Sequence, residues 1–90
     1  MATVKFTYAL KRFYPDLDTV EVPAEDVNSV VQSIDLTYPG IKNYLLDDQG
    51  SLRKHVNIFV DGSLITDRKT LQDKLTDQSE VYIMQALSGG

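Results

Sequence analysis

Apolar and polar positions alternate in short stretches along the chain, and the period changes from two to nearly four and back. Val4, Phe6 and Tyr8 alternate with Lys5 and Thr7, which predicts a strand with one buried face. Lys11 to Asp18 is polar and contains Pro15, as a loop would. Val20 and Val22 alternate with Thr19 and Glu21, a second strand that forms a hairpin with the first. Pro23 ends it, and Glu25 and Asp26 place negative charge where a helix N-terminus would welcome it. Val27, Val30, Val31, Ile34 and Tyr38 then share one helical face, and Tyr38-Pro39-Gly40 stops that helix. Ile41, Tyr44 and Leu45 predict one more short helical turn before the Asp47-Asp48-Gln49-Gly50 loop. His55 to Val60 reads as a third strand, with Val56, Ile58 and Val60 facing inward. Asp61-Gly62 is a two-residue hairpin turn of the kind that needs positive φ at both positions, and Ser63-Leu64-Ile65 is the returning strand. Leu71 and Leu75, four apart, predict a single helical turn over the core. Val81, Ile83 and Gln85 alternate with Tyr82, Met84 and Ala86 in a last strand.

One long amphipathic helix across one face of a mixed sheet is an α+β two-layer design. With the first and last strands parallel at the centre, it is the β-grasp, or ubiquitin-like, arrangement: a mixed four- to five-stranded sheet with one main helix. Residues 1–86 form the domain, and 87–90 a flexible C-terminal tail. The sheet face away from the helix is polar at Lys5, Thr7, Thr19 and Glu21. It turns apolar at Phe59, Tyr82, Met84 and Ala86, beside Asn57. Phe59, Tyr82 and Met84 are therefore expected to be an exposed partner-docking patch leading towards the tail. The alternative is that the Lys11–Asp18 loop, with Phe13 and Tyr14, folds over them. Met84→Asp separates the two, weakening partner binding if Met84 is exposed and unfolding the domain if it is buried.

Charge and composition narrow the function. A net charge of −4, with basic residues in scattered pairs, gives no basic face for nucleic acid. No apolar run is long enough to span a membrane and no leader opens the chain, so the cytoplasm is the expected location. The absence of cysteine excludes disulfides, thiolate nucleophiles and cysteine-ligated zinc. His55 has no fixed partner to make it catalytic, and Asp47-Asp48 lacks the spaced oxygen ligands of a calcium loop. Gly40, Gly50 and Gly62 stand singly, so there is no phosphate-binding glycine loop. No catalytic residue and no metal ligand is proposed, and the chain is not expected to be an enzyme. One chemically distinctive group remains, the Gly90 carboxylate. Leu87-Ser88-Gly89-Gly90 follows a strand and ends in two residues without side chains, shaped to feed a carboxyl group into a narrow site on another protein.

The run Val56-Asn57-Ile58-Phe59-Val60-Asp61-Gly62 and the run from Ser79 through Ala86-Leu87-Ser88-Gly89-Gly90 resemble the MoaD/ThiS/CysO family of ubiquitin-like sulfur carriers. Tyr38-Pro39-Gly40 and Leu52-Arg53-Lys54-His55 are similar to the same group. The resemblance implies that a MoeB/ThiF-like adenylyltransferase uses ATP and magnesium to make a Gly90 acyl-adenylate. A sulfur donor then converts it to a thiocarboxylate, which serves a sulfur-accepting synthase in the biosynthesis of cysteine, molybdopterin, thiamine or a similar product. The carrier itself binds no cofactor, and a tail ending at Gly90 needs no trimming. Gln85-Ala86-Leu87-Ser88 stands where carriers for molybdopterin often have prolines, and Leu45 to Leu52 is more like the cysteine-synthesis kind. Two other roles use the same features: a protein modifier joined to lysines through Gly90, and a plain β-grasp interaction domain.

Overall fold

The computed structural model describes residues 1–12, 14–23 and 25–85. The elements run β1 (Ala2–Phe6), α1 (Tyr8–Lys11), β2 (Val20–Val22), α2 (Val27–Thr37), α3 (Ile41–Leu45), β3 (Val56–Val60), β4 (Ser63–Leu64) and β5 (Glu80–Gln85). The sheet order is β2-β1-β5-β3-β4. β1 and β5 are parallel neighbours, with Val4 opposite Val81 and Phe6 opposite Ile83. The other pairings are antiparallel. The β-grasp arrangement with a parallel centre is thus observed.

The inward positions make one core. Ala2 and Val4 of β1, Val56 and Ile58 of β3, and Val81 and Ile83 of β5 are fully buried with Val27, Val30, Val31 and Ile34 of α2. Each such aliphatic side chain gains about 1.5–3 kcal/mol on leaving water. That gain holds α2 across the sheet and fixes the register of β5, because a one-residue slip would turn Val81 and Ile83 outward.

The start of α2 shows how its first backbone donors are satisfied. Asp26 is the N-cap and accepts from the Ser29 N–H at 2.8 Å, while Ser29 Oγ accepts from the Asp26 N–H at 3.1 Å. The two earlier N–H groups go to a distant segment: Val27 donates to the Asp73 carbonyl at 3.1 Å and Asn28 to the Leu71 carbonyl at 2.8 Å. None of these helix-end donors is left buried without a partner.

That distant segment departs from the sequence expectation. Leu71 and Leu75 are both buried, but no helical turn contains them. Leu71 has φ 58°, and Asp26 and Lys74 form an isolated antiparallel bridge. The spacing of four is coincidental here, because the segment lies alongside the end of α2 and lends it carbonyls. The N-terminal region differs too. β1 stops at Phe6, Tyr8 begins α1, and the stretch read as a polar loop is tied down by the buried Leu10 and Leu17. β3 starts at Val56, one residue later than expected, and β4 ends at Leu64, although the Ile65 N–H still donates to the Ile58 carbonyl at 3.0 Å. The short helical turn expected at Ile41, Tyr44 and Leu45 is α3, and it buries Ile41 and Leu45.

Candidate docking face and tail base

The registers place the outward residues in transverse rows. Lys5 of β1 is opposite Tyr82 of β5, Tyr82 is opposite Phe59 of β3, and Phe59 is opposite Leu64 of β4. Directly opposed residues share a face, so Lys5, Tyr82, Phe59 and Leu64 form one row across four strands. One step towards the end of β5, Met84 lies opposite Asn57. Tyr82 is 36% exposed and Leu64 55%, whereas Phe59 and Met84 are half-buried. The three residues expected to form a patch do lie together on this face, with Tyr82 as its exposed centre.

Leu64 belongs to the row and was not among the expected patch residues. The signal for it is in the sequence: a two-residue Asp61-Gly62 turn pairs Val60 with Ser63, and hence Phe59 with Leu64. The turn is as expected, with φ 51° at Asp61 and 87° at Gly62. Tyr14 does not cover the row. Its ring packs edge-on against Tyr38 and Tyr44, with centroids 6.4 and 5.7 Å away, and its hydroxyl donates to the Pro39 carbonyl at 3.2 Å. Phe13 lies outside the described residues, as do Ala86, the tail residues Leu87, Ser88 and Gly89, and Gly90 itself.

β5 is the central strand, followed in sequence by the segment expected to be the tail. Its last described residue, Gln85, pairs with Val56 and donates its N–H to Thr7 Oγ1 at 3.3 Å. Across β3 from this point lies Arg68, half-buried. Its Nη1 donates to Asn57 Oδ1 at 3.0 Å, and its Nη2 donates to the carbonyls of Arg53 at 2.7 Å and Val56 at 2.9 Å. The loop that presents Arg68 is held by two carboxylates. Asp67 accepts from the N–H groups of Lys69, Thr70 and Gln72 and from the Thr70 hydroxyl. Asp73 accepts from the N–H groups of Thr66 and Asp67 and from the Thr66 hydroxyl.

These bonds depress both acids: the Thr70 hydroxyl first and then the Thr70 N–H hold Asp67 down at about 2, and the Thr66 N–H is the chief cause for Asp73. A carboxyl with a depressed folded-state pKa contributes stability above its unfolded value and loses it as pH falls through the folded one. Stability is therefore expected to drop between about pH 4 and about pH 2. Urea unfolding over that range should show a shallower acid loss in the Asp67→Asn/Asp73→Asn double variant than in the parent. An identical slope would contradict this account of the loop.

The remaining polar candidates are structural. Asp47 Oδ1 accepts from the Gln49 and Ser51 N–H groups and shapes its own turn, and His55 is exposed. Among the described residues no group of three His, Cys, Asp or Glu is placed to hold a metal ion. No helix among them is long and apolar enough to cross a membrane.

Strand order, helix placement and the parallel β1–β5 centre together define a ubiquitin-like β-grasp protein. Within that class the chain belongs to the ThiS family, whose model matches residues 4–90, the group of ubiquitin-like sulfur carriers that the sequence resembles. A search of the curated proteins finds no match. Among solved structures, the chain is similar to one from the Amycolatopsis orientalis BexX/CysO complex, with 20% identity, full coverage of both chains and a TM-score of 0.84. Mycobacterium tuberculosis CysO is 24% identical over 97% of this chain and 100% of its own, with a TM-score of 0.82. Small archaeal modifier protein 1 from Methanosarcina acetivorans is 26% identical over 99% of this chain and 95% of its own, with a TM-score of 0.79.

Proposed function

We propose that this protein is a sulfur carrier whose Gly90 carboxylate is adenylated by a MoeB/ThiF-like enzyme and converted to a thiocarboxylate. The observation that carries this reading is that the family match runs through Gly89 and Gly90 and does not stop where β5 ends. A free carboxylate is a poor electrophile, because its charge is delocalised and oxide is a poor leaving group. In the proposed sequence a Gly90 oxygen attacks the α-phosphorus of ATP and pyrophosphate leaves. A sulfur nucleophile then attacks the activated carbonyl carbon and AMP leaves. Magnesium, nucleotide and catalytic groups belong to the partner, and the carrier contributes reach and docking. From Gln85, the five residues to Gly90 span up to about 16 Å at roughly 3.3 Å each. Tyr82, Phe59, Met84 and Leu64 would seat the domain while the tail enters the partner.

ATP–pyrophosphate exchange tests the first step. Exchange by a ThiF-type enzyme from the same genome should depend on adding this chain. No exchange with any such enzyme that is active on another carrier would overturn the proposal. A second reading, conjugation to lysines through Gly90, draws on the similarity to small archaeal modifier protein 1. Glycyl-glycine remnants on lysines in cells expressing a tagged form would support it, and their absence would leave the carrier role alone.

A further inference from the structure

The face with the apolar row is not symmetric in charge. At the end far from the tail, Lys5 Nζ lies 3.4 Å from Glu80 Oε2, and Asp61 Oδ1 accepts the Glu80 N–H at 2.9 Å. The cation at that end already has its counterion. At the tail end the situation is reversed. The Arg68 guanidinium is fixed by three acceptors, an amide oxygen and two carbonyls, all neutral. The nearest acids in sequence, Asp67 and Asp73, spend their oxygens on their own loop's N–H and hydroxyl groups. Lys54 and His55, both exposed, lie just before β3 at the same end. Among the described residues none of these three takes part in an ion pair.

Holding a guanidinium still with neutral acceptors, half out of water, leaves its charge intact and two of its five N–H groups without an acceptor among these bonds. Such a group is pre-organised for an external anion. Reach decides which anion. Arg68 binds the Val56 carbonyl, which faces away from β5 as does the Ile58 carbonyl that accepts from Ile65, and Val56 pairs with Gln85, so the guanidinium is about two strand spacings, ~10 Å, from the base of the tail. The nucleotide phosphates would meet Gly90, as far as about 16 Å further on. The anion facing Arg68 is therefore on the partner's rim.

We propose, resting on the carrier reading above, that the activating enzyme receives this face with an apolar surface bordered by carboxylates at the mouth of its tail channel, and that Arg68, with Lys54 beside it, reads that acidic edge. The arrangement orients docking: the far end, where Lys5 is paired with Glu80 and the Asp61 carboxylate adds negative charge, is not drawn to an acidic edge, and the tail end is, which brings Gly90 to the channel.

The test measures both the dissociation constant and carrier-dependent pyrophosphate exchange for the full chain with a ThiF-type enzyme from the same genome. Lys54→Glu alters an exposed side chain and is not expected to disturb folding; Arg68→Gln removes the charge but is too short to remake all three contacts, so its unfolding midpoint is measured alongside. Each should weaken binding about tenfold or more at low salt. The loss should shrink markedly at about 1 M salt, where the Debye length is about 3 Å. Lys74→Glu, exposed and bridged to Asp26 at the start of α2, serves as the charge-matched control and should bind like the parent. If the parent is adenylated but both variants bind as tightly as it does, the acidic-edge proposal is wrong and the carrier reading stands. Binding with the expected salt-sensitive losses but no adenylation would support the edge and overturn the carrier reading. No binding of the parent at all would overturn both.

Discussion

Removing Gly90 is expected to reduce carrier-dependent pyrophosphate exchange to the level of the activating enzyme alone, with no change in the urea unfolding midpoint. Among the described residues the core cluster runs from Ala2 to Ile83, and a glycine has no side chain to add to it. The shortened chain still ends in a glycine carboxylate, at Gly89, and this makes the variant informative. Its chemistry is unaltered while its position retreats by about 3.3 Å. A misplacement of about 1 Å in a reacting group costs on the order of 10²-fold, so one residue suffices to silence the reaction. A plain interaction domain would keep its binding and its function after this deletion. Retained exchange would show that the partner does not act at Gly90.

The second large effect is expected on the docking face. Tyr82→Asp should weaken binding to the activating enzyme by about 2 kcal/mol or more, roughly thirtyfold, since central aromatic residues commonly dominate such interfaces. Its ring lies between Lys5 and Phe59 in the transverse row and is 36% exposed. An aspartate there meets solvent in the free protein and apolar surface in the complex. Circular dichroism and the unfolding midpoint should stay close to the parent's. Met84→Asp is a less clean probe than the sequence suggests, because Met84 is half-buried and the substitution disturbs folding and binding together. Parent-like affinity for Tyr82→Asp would show that this face is not the contact.

What could be read from the sequence followed from period and turn chemistry. Val56, Ile58, Val81 and Ile83 announce their buried face by strict alternation, and the Asp61-Gly62 turn sets the β3–β4 register. The four valine and isoleucine positions of α2 do the same at helical spacing. The apolar outer row was legible at Phe59, Tyr82 and Met84 because a small two-layer domain has no second helical layer to bury them. What was not legible was held by contacts distant in sequence. Leu17 is an isolated apolar residue in a polar stretch and carries no period, and Leu10 continues the alternation of Val4, Phe6 and Tyr8 although it lies in α1. Leu71 and Leu75 have helical spacing, but Asp67 and Asp73 capture the local N–H groups that a helix would use, and the freed carbonyls cap α2. Side-chain bonds of this kind compete directly with helix formation. Arg68 escaped notice for the same reason. It looked like one of several scattered basic pairs, and only the fold brings it beside Asn57 and Val56, at the end of β3 that pairs with Gln85.

Mass spectrometry after incubation with the activating enzyme, ATP, magnesium and a sulfide source tests the central claim most directly. The intact chain should gain the mass difference between sulfur and oxygen, and fragmentation should place the whole gain on Gly90. An unchanged mass under conditions where the enzyme charges another carrier, or a gain located elsewhere in the chain, would contradict the account.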